Sequence, residues 1–312
     1  MSLLVVGSVA FDDIETPFGR AEKIVGGAGT YIAWAASYFT ENIRMVSIVG
    51  EDFPPAELAA LQQRGVDTSG IKIVEGGKSF FWAGKYHLNL NARDTLVTDL
   101  NVLADFDPVL PPHYRDSEFV MLGNLTPSIQ LSVIRQMSPR PKVIALDTMN
   151  YWMESAMDEL LEVLAEIDLL IINEEEARQL SGQYSLMRAS EIIRKMGPKY
   201  LVIKKGEHGA LLFVDDLLFF SPALLLTEVQ DPTGAGDTFA GGLMGYLAGH
   251  DELNFEVLKQ AIICGSAMAS FCVEKFGTEA LRNISPTALV ERMERFSMMM
   301  QFQVPGLRRA FI

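Results

Sequence analysis

Short apolar runs recur along the chain, and stretches with helical periodicity separate them. Most of the runs are continuously apolar rather than alternating, which is typical of strands in a sheet that is covered on both faces. The six runs are Leu3–Val9, Met45–Val49, Glu118–Leu122, Lys142–Leu146, Asp168–Ile172 and Tyr200–Ile203. The predicted helices are Gly29–Phe39, Pro55–Arg64, Ser128–Met137, Met153–Ala165, Ala189–Met196, Gly236–Leu247, Phe255–Phe276 and Ser285–Phe296. This alternation predicts an α/β fold with a mostly parallel central sheet.

Two segments, residues 11–25 and 74–98, interrupt this alternation. The first is short, polar and rich in turn residues, and the second has a glycine pair followed by aromatic and β-branched spacing. We predict that both are extended segments outside the main sheet and form a small β-stranded lid. The core then comprises residues 1–10, 26–73 and 99–312. Three aromatic residues of the second segment either pack within the lid or form a wall for a ligand, namely Phe80, Phe81 and Trp82.

The composition is that of a globular, acidic protein. The 312 residues carry a formal net charge of −14, and 49% of them are hydrophobic. This charge argues against nucleic-acid binding, which depends on lysines and arginines that neutralise phosphates. It does not exclude a nucleotide ligand, because helix N-termini and Mg²⁺ hold small polyanions locally. The sequence has no run of about 18 apolar residues, so we expect no membrane span.

The two cysteines, Cys264 and Cys272, both fall in one apolar helical run. We expect buried helix cysteines there rather than a disulfide or a metal site. Such cysteine usage fits a protein of the reducing cytoplasm.

The segment with the most chemical information is DPTGAGDTFAGG at residues 231–242. An apolar stretch ends before it, a glycine-rich turn follows, and an apolar helix then begins. Because Gly234, Ala235 and Gly236 are small, their backbone N–H groups can approach a ligand closely at the start of the helix. The helix dipole favours negative charge at this end, so the segment predicts an anion hole.

Asp237 lies just inside this predicted anion hole. A carboxylate there competes with an anionic ligand unless it faces an incoming hydroxyl group and accepts its proton. The pattern therefore predicts general-base assistance to phosphoryl transfer, with Asp237 as the base. The alternative is that Asp237 only caps the helix and the glycines only form a tight turn. Neither a P-loop nor a dinucleotide-binding glycine pattern occurs in the sequence.

The signature at residues 231–242 resembles that of the ribokinase-like (PfkB) kinases, a family of carbohydrate and nucleoside kinases. Further motifs of the family follow in order over nearly the whole chain. Residues 7–12, Gly-Ser-Val-Ala-Phe-Asp, are similar to the motif after the first strand. By this match Asp12 binds acceptor hydroxyls, since a carboxylate can accept two hydrogen bonds from a diol. Asp13 is the alternative for this register.

The next motif, GGAGTY at residues 26–31, is similar to the acceptor-binding glycine motif of the family. Gly26 and Gly27 then permit the backbone to approach the acceptor closely. Tyr31 departs from the family pattern, which has asparagine at this position in many sugar kinases. The tyrosine either stacks on a base or another large substituent of the acceptor, or it packs within the protein.

On the nucleotide side, NEEE at residues 173–176 is similar to a motif that acts near Mg²⁺, mostly through water. Asn173 and Glu176 are the matching residues, and Mg²⁺ prefers such oxygen ligands. A capped helix start explains the same residues without a metal. Lys204, Lys205 and Gly206 resemble a turn beside the ATP phosphates, and the alternative is an exposed hairpin with two solvated lysines.

The resemblance also places ATP against Thr233, Gly234 and Gly236 of the signature. In some members of the family, a monovalent cation such as K⁺ lies beside this segment. The matching positions here are Asp231, Thr233 and Gly277.

Together, the resemblance implies a three-layer ribokinase-like core with a β lid and an ATP- and Mg²⁺-dependent kinase. We expect the γ-phosphoryl group to go to a hydroxyl of a small sugar or sugar-containing metabolite, and a nucleoside is the alternative acceptor. A catalytically silent sugar or nucleotide sensor is the alternative from another class, although the base and the anion-hole glycines are retained. An exposed lid edge also suggests a homodimer through the lid.

Overall fold

A nine-stranded sheet forms the centre of the protein in this computed structural model, which describes residues 1–301. Its strands are β1 (Leu3–Val6), β4 (Ile43–Gly50), β5 (Val66–Val74), β8 (Phe119–Leu122), β9 (Val143–Asp147), β10 (Leu169–Asn173), β11 (Tyr200–Lys204), β12 (Ala210–Val214) and β13 (Leu217–Ser221). The spatial order is β13-β12-β11-β10-β9-β8-β1-β4-β5. All neighbours are parallel except in the β11–β12 and β12–β13 pairs, which confirms the mostly parallel sheet.

Helices cover both faces of this sheet. They are α1 (Ala28–Ala36), α2 (Pro55–Gln63), α3 (Pro127–Gln136), α4 (Asn150–Ser155), α5 (Met157–Glu166), α6 (Glu174–Ser181), α7 (Leu186–Arg194), α8 (Ala235–Leu247), α9 (Phe255–Cys272), α10 (Glu279–Arg282) and α11 (Pro286–Met300). Alternate residues of each strand enter opposite cores: Leu3 and Val5 pack on the side of α1, α8 and α9, and Leu4 and Val6 on the side of α3, α5 and α7. Two cores on one sheet give the predicted three layers.

Several predicted boundaries need correction. The first strand ends at Val6 because Gly7 turns the chain against the start of α1, where an added Cβ would lie 2.6 Å from the Gly29 nitrogen. The helix predicted over residues 153–165 is two helices, since Ala156 has a non-helical backbone with φ −147° and ψ 40°. The strand β5 escaped the sequence analysis because its polar and apolar residues alternate, unlike those of the buried strands.

The lid is a separate four-stranded sheet, as predicted. Its strands are β2 (Ala10–Thr16), β3 (Gly19–Gly26), β6 (Phe80–Tyr86) and β7 (Arg93–Asp99), in the order β3-β2-β6-β7. The central pair, β2 and β6, is parallel, and Asp12 is the register partner of Trp82. Since register partners point to the same face of a sheet, these two side chains share one face of the lid.

Glycines bring α8 unusually close to α1. A Cβ added at Gly241 would overlap the backbone of Ile32, and one added at Gly245 would lie 2.7 Å from Ala36. The other side of α8 packs on α9, where both cysteines are buried. Within residues 1–301, α9 alone is long and apolar enough to match a membrane span, but 61% of it is buried inside the fold, as in the core helix of a globular protein.

Candidate active site

Three neighbouring parallel strands end at the same edge of the sheet with a polar residue. Asp147 ends β9, Asn173 ends β10 and Lys204 ends β11. Asn173 and Lys204 are register partners, and Ile171 of β10 pairs with Asp147. The carboxyl edge of a parallel sheet is where α/β proteins bind ligands, so this edge is the candidate site.

The signature loop runs past this edge into α8. Gly234 precedes the helix in the left-handed region, with φ 72° and ψ 1°, which glycine adopts without strain. A Cβ at this position would also overlap the ring of Tyr31. The N-cap is therefore Gly234, and Asp237 is the third residue of α8. The interpretation of Asp237 as a mere N-cap is wrong.

The predicted anion hole needs one correction. The N–H of Ala235 donates to the carbonyl of Pro232 at an N···O distance of 3.2 Å, so this residue has no free N–H for a ligand. The N–H groups of Gly234 and Gly236 have no backbone acceptor within the described part of the chain. They lie at the positive end of the α8 dipole, and an anion there would gain both hydrogen bonds and favourable charge.

The carboxylate of Asp237 lies in an electrostatically crowded place. Burial and the negative charge of Asp147 raise its pKa, which lies at about 7 once all nearby charges have acted. Lys204 and Arg93 act in the opposite direction, and both oppose the effect of burial. A carboxylate with a pKa near neutrality is well suited to accept a proton from a bound hydroxyl group.

Lys204 is not a solvated hairpin lysine. Its Nζ lies 3.0 Å from Oδ1 of Asp147, and the two side chains are only 16% and 11% exposed. Burial lowers the pKa of Lys204, but the carboxylates of Asp147, Glu176 and Asp237 outweigh burial and leave the pKa above its usual value. Lys205 is half-buried and its N–H bonds to the Gly209 carbonyl, whereas Gly206 is exposed.

Asn173 and Glu176 form a reciprocal capping box at the start of α6. Oδ1 of Asn173 accepts from the Glu176 N–H at 2.9 Å, and Oε2 of Glu176 accepts from the Asn173 N–H at 2.7 Å. The helix-cap interpretation is therefore correct, and it accounts for one oxygen of each side chain. Burial raises the pKa of Glu176, Lys204 lowers it, and Asp147 raises it. The capping bonds thus fix a buried carboxyl group beside the Asp147–Lys204 pair.

On the acceptor side, the structure distinguishes Asp12 from Asp13. Asp12 is 4% exposed, and its carboxylate packs where a Cβ on Gly26 would overlap it. Asp13 instead accepts a hydrogen bond from the N–H of Lys23 within the lid, at 2.6 Å. Burial raises the pKa of Asp12 to about 8, and the charges of Asp231 and Asp237 contribute. Asp12 therefore faces the signature segment and Asp13 does not.

Tyr31 packs between the two halves of the site. Its side chain is 1% exposed and its ring lies against Gly234, so neither ring face is open for stacking on a base in this conformation. Its hydroxyl is buried without a hydrogen-bond partner in residues 1–301. Gly27 supports the start of α1 nearby with φ 91°, and its added Cβ would lie 2.5 Å from the Ser8 carbonyl oxygen.

The three residues matched to a monovalent cation do come together. Oδ1 of Asp231 accepts from the N–H of Thr233 at 2.8 Å, and Oδ2 accepts from the N–H of Gly277 at 3.1 Å. Burial nevertheless raises the pKa of Asp231. These bonds tie the signature loop to the turn that follows α9.

The lid contributes contacts that sequence reasoning missed. The Tyr86 hydroxyl lies 3.1 Å from Oγ1 of Thr233, and Asn91 approaches Gly206. Arg93, the register partner of Tyr86, is close enough to lower the pKa of both Asp237 and Glu176. These residues are far from the signature in sequence, and no local pattern marks them. Asp147 was also missed, although its place at the end of an apolar run was a usable signal.

The candidate metal ligands at this site are a few carboxylates near Lys204. Within residues 1–301, no group of three or more acidic, histidine or cysteine side chains has the arrangement of a preformed metal site. Asp147, Glu176 and Asp237 nevertheless all interact with Lys204, which brings carboxylate oxygens to one place. This donor set fits Mg²⁺, which is commonly bound through one or two carboxylates together with waters and substrate phosphates.

Known proteins resemble this chain over nearly its whole length. The model described as pfkB family carbohydrate kinase matches residues 2–284. Cytidine kinase from Thermococcus kodakarensis is 29% identical over 284 residues, which cover 89% of this chain and 98% of the relative. Aminoimidazole riboside kinase from Salmonella typhimurium is 32% identical over 299 residues, 88% of this chain and 89% of the relative. The crystal structure of aminoimidazole riboside kinase from Salmonella enterica has a TM-score of 0.74 at 23% identity, with 94% of this chain and 100% of that chain covered, and it supports the same fold.

The buried Asp12 carboxyl group predicts a pH-dependent effect of Asp12→Asn on stability. Because the folded pKa of about 8 exceeds the unfolded value of 3.8, ionisation disfavours the folded state as the pH rises through this interval. The asparagine variant lacks this loss. The free energy of unfolding of the variant, relative to that of the wild type, should therefore rise by at most about 1.4 kcal/mol per pH unit between the two pKa values. Above the folded pKa this difference should stay constant. Urea denaturation at pH 4 and pH 8 measures the difference in unfolding free energy between the variant and the wild type. An equal difference at both pH values would refute the raised pKa of Asp12.

Proposed function

The chain belongs to the pfkB family of carbohydrate kinases, and we propose that it transfers the γ-phosphoryl group of ATP to a hydroxyl group of a ribonucleoside. The family and the ribokinase-like fold are those of kinases that phosphorylate a hydroxyl group of a sugar or a nucleoside. The proposed transfer of a phosphoryl group to a hydroxyl depends mainly on one observation. A carboxylate with a raised pKa, Asp237, lies in the first turn of α8 beside the N–H groups of Gly234 and Gly236.

The proposed reaction is a direct displacement at phosphorus. The acceptor hydroxyl gives its proton to the Asp237 carboxylate as its oxygen forms a bond to the γ-phosphorus. The bond from that phosphorus to the bridging oxygen breaks, and ADP leaves with the electron pair. The N–H groups of Gly234 and Gly236 and the ammonium of Lys204 stabilise the charge on the transferred group.

The nucleotide and the metal are expected on the strand-end side of Asp237. Asp147 and Glu176 would hold Mg²⁺, with Asn173 positioning Glu176 through the capping box. The ion would supply charge neutralisation for the phosphates. Thr233 and the turn at Lys205 and Gly206 would border the nucleotide, and the contacts from the lid would exclude water that otherwise hydrolyses ATP.

The acceptor is proposed to lie on the face of the lid that carries Asp12 and Trp82. Asp12, with a pKa of about 8, can donate and accept hydrogen bonds to ribose hydroxyls, because its carboxyl group is largely protonated at neutral pH. Its register partner Trp82 is half-buried and lies over Gly84, where the missing side chain leaves room for the indole. An indole beside a ribose-binding carboxyl group suits a nucleoside base.

The relatives favour this acceptor over a free sugar. Cytidine and aminoimidazole riboside, the compounds for which two relatives are named, both join a ribose to a nitrogenous ring. This support reverses the order that the sequence alone suggested, in which a small sugar came before a nucleoside. Tyr31 is not a platform for the base in this conformation, since its ring packs on Gly234.

Three further expectations stay predictions. A monovalent cation near Asp231, Thr233 and Gly277 is supported by the convergence of these residues. A homodimer through the lid is supported by the exposed edge strand β7, on which Leu96 is 60% exposed. A cytoplasmic location is supported by the cysteine usage.

Asp237→Asn should reduce turnover by a factor of roughly 10²–10⁴, because the amide cannot accept the proton of the acceptor hydroxyl. Binding of ATP should persist, since the helix N–H groups and Lys204 remain. Initial-rate kinetics measure the first effect, and calorimetric titration with ATP measures the second. Turnover within a few-fold of the wild type would remove Asp237 from its role as base.

An acceptor panel tests the class of substrate. We expect ADP formation from Mg-ATP with cytidine or another ribonucleoside, or with aminoimidazole riboside, at a kcat/KM well above that for ribose, fructose or 2-dehydro-3-deoxygluconate. Higher efficiency with a free sugar would contradict the nucleoside proposal. ATP binding without ADP formation for any acceptor would favour a silent sensor.

Trp82→Ala should raise the KM for the nucleoside about tenfold or more, because stacking of an aromatic ring on a base is worth roughly 1–3 kcal/mol. The KM for ATP should change little. Phe18→Ala is the matched control, since Phe18 is an exposed aromatic residue in the turn between β2 and β3. An equal effect of both substitutions, or no effect of Trp82→Ala, would place the base elsewhere.

A further inference from the structure

Lys204 occupies a position between two parts of the site that need positive charge. On one side its Nζ pairs with Asp147 at 3.0 Å, across the intervening strand β10. On the other side the ammonium borders the anion hole, because a Cβ added at Gly236 would lie 2.9 Å from Nζ. One ammonium group therefore adjoins both the carboxylate cluster and the place proposed for the transferred phosphoryl group.

The carboxylates around Lys204 outnumber it. Asp147, Glu176 and Asp237 all act on the ammonium, and Lys204 in turn lowers the pKa of both Glu176 and Asp237. Arg93 of the lid is a second positive group that acts on these two acids. A buried carboxylate without a counter-charge is costly, so Lys204 neutralises a cluster that would otherwise repel itself.

The two tasks of this ammonium compete. While Lys204 neutralises Asp147, it is not fully available to a phosphoryl group, and Asp147 is not fully available to a metal. A divalent cation held by the same carboxylates would supply their counter-charge, and the Lys204 ammonium could then turn toward Gly236. The distance is short enough for this change to need only rotation of the lysine side chain, because the ammonium already borders both partners.

We propose that Lys204 is an exchangeable internal counter-ion: its ammonium neutralises Asp147 until a metal–nucleotide complex takes over the carboxylates, and it then moves to the phosphoryl group held at Gly234 and Gly236. Through this pairing Lys204 disfavours metal binding to the nucleotide-free protein. The inference depends on the proposed position of the phosphoryl group only in its second step. The first step, competition between ammonium and metal, rests on the Lys204–Asp147 pair and on the metal position proposed at Asp147 and Glu176.

Binding of Mn²⁺ to the nucleotide-free protein tests the first step. The free Mn²⁺ signal in electron paramagnetic resonance gives the affinity without any catalytic assay. We expect Lys204→Met to bind Mn²⁺ at least tenfold more tightly than the wild type, and Lys204→Arg to bind it as weakly as the wild type. Lys199→Met is the matched control, since Lys199 is exposed just before the other end of β11, and it should leave the affinity unchanged.

Folding of each variant is checked by circular dichroism, and the pair is also tested from its other side. Asp147→Asn should strengthen binding of metal-free ADP at least five-fold by releasing the ammonium, and the double variant with Lys204→Met should lose this gain. No tighter Mn²⁺ binding in a folded Lys204→Met, or an equal gain in Lys199→Met, would overturn the proposal. If Lys204→Met does not fold, a metal-free ADP affinity in Asp147→Asn no better than that of the wild type overturns it.

These readouts separate the inference from the proposed function. The Mn²⁺ titration uses neither ATP nor an acceptor, so its outcome does not depend on which acceptor the enzyme phosphorylates. A failed acceptor panel with the expected Mn²⁺ result would leave the counter-ion intact and count only against the proposed acceptor or, if no acceptor yields ADP, against the kinase activity.

Discussion

The close contact between α1 and α8 determines where α8 begins, and most of the site depends on that position. Gly241 and Gly245 allow the two helix backbones to approach where any side chain would collide with Ile32 or Ala36. At the start of the same contact, Gly234 takes a left-handed conformation against the ring of Tyr31. The N–H groups of Gly234 and Gly236 and the Asp237 carboxylate therefore lie at a fixed place beside the strand ends, which is the preorganisation that stabilisation of a charged transition state requires.

The position of this helix start buries several carboxyl groups, which is electrostatically unfavourable when they are ionised. Burial raises the pKa of Asp12, Asp237 and Glu176, so ionising these carboxyl groups works against folding. The same burial brings the pKa of Asp237 near neutrality, where a carboxylate is well suited to accept a proton. Lys204 limits the cost through its pair with Asp147. Acidic groups therefore lie beside the N–H groups of a helix start, which is the combination expected of a site that binds a metal together with a polyanionic nucleotide.

Sequence reasoning recovered the features that are encoded locally. The apolar runs mark the buried strands, the glycine-rich signature marks the start of α8, and the interruptions mark the lid. The errors arise where tertiary geometry decides. The N–H of Ala235 is lost to the Pro232 carbonyl, a detail of loop conformation. Asp147 and Lys204 meet only because β9 and β11 flank β10. Tyr86 and Arg93 reach the signature only because the lid folds over it. Local sequence patterns do not encode this long-range contact.

The most direct test is one distance in a crystal structure of the protein with cytidine and a non-hydrolysable ATP analog. We expect a carboxylate oxygen of Asp237 to lie about 2.6–3.2 Å from the acceptor hydroxyl oxygen that faces the γ-phosphorus. The γ-phosphate oxygens should then accept hydrogen bonds from the N–H groups of Gly234 and Gly236. An Asp237 side chain that points away from the acceptor, with another residue at hydrogen-bond distance from that hydroxyl, would contradict the role of Asp237 as the base.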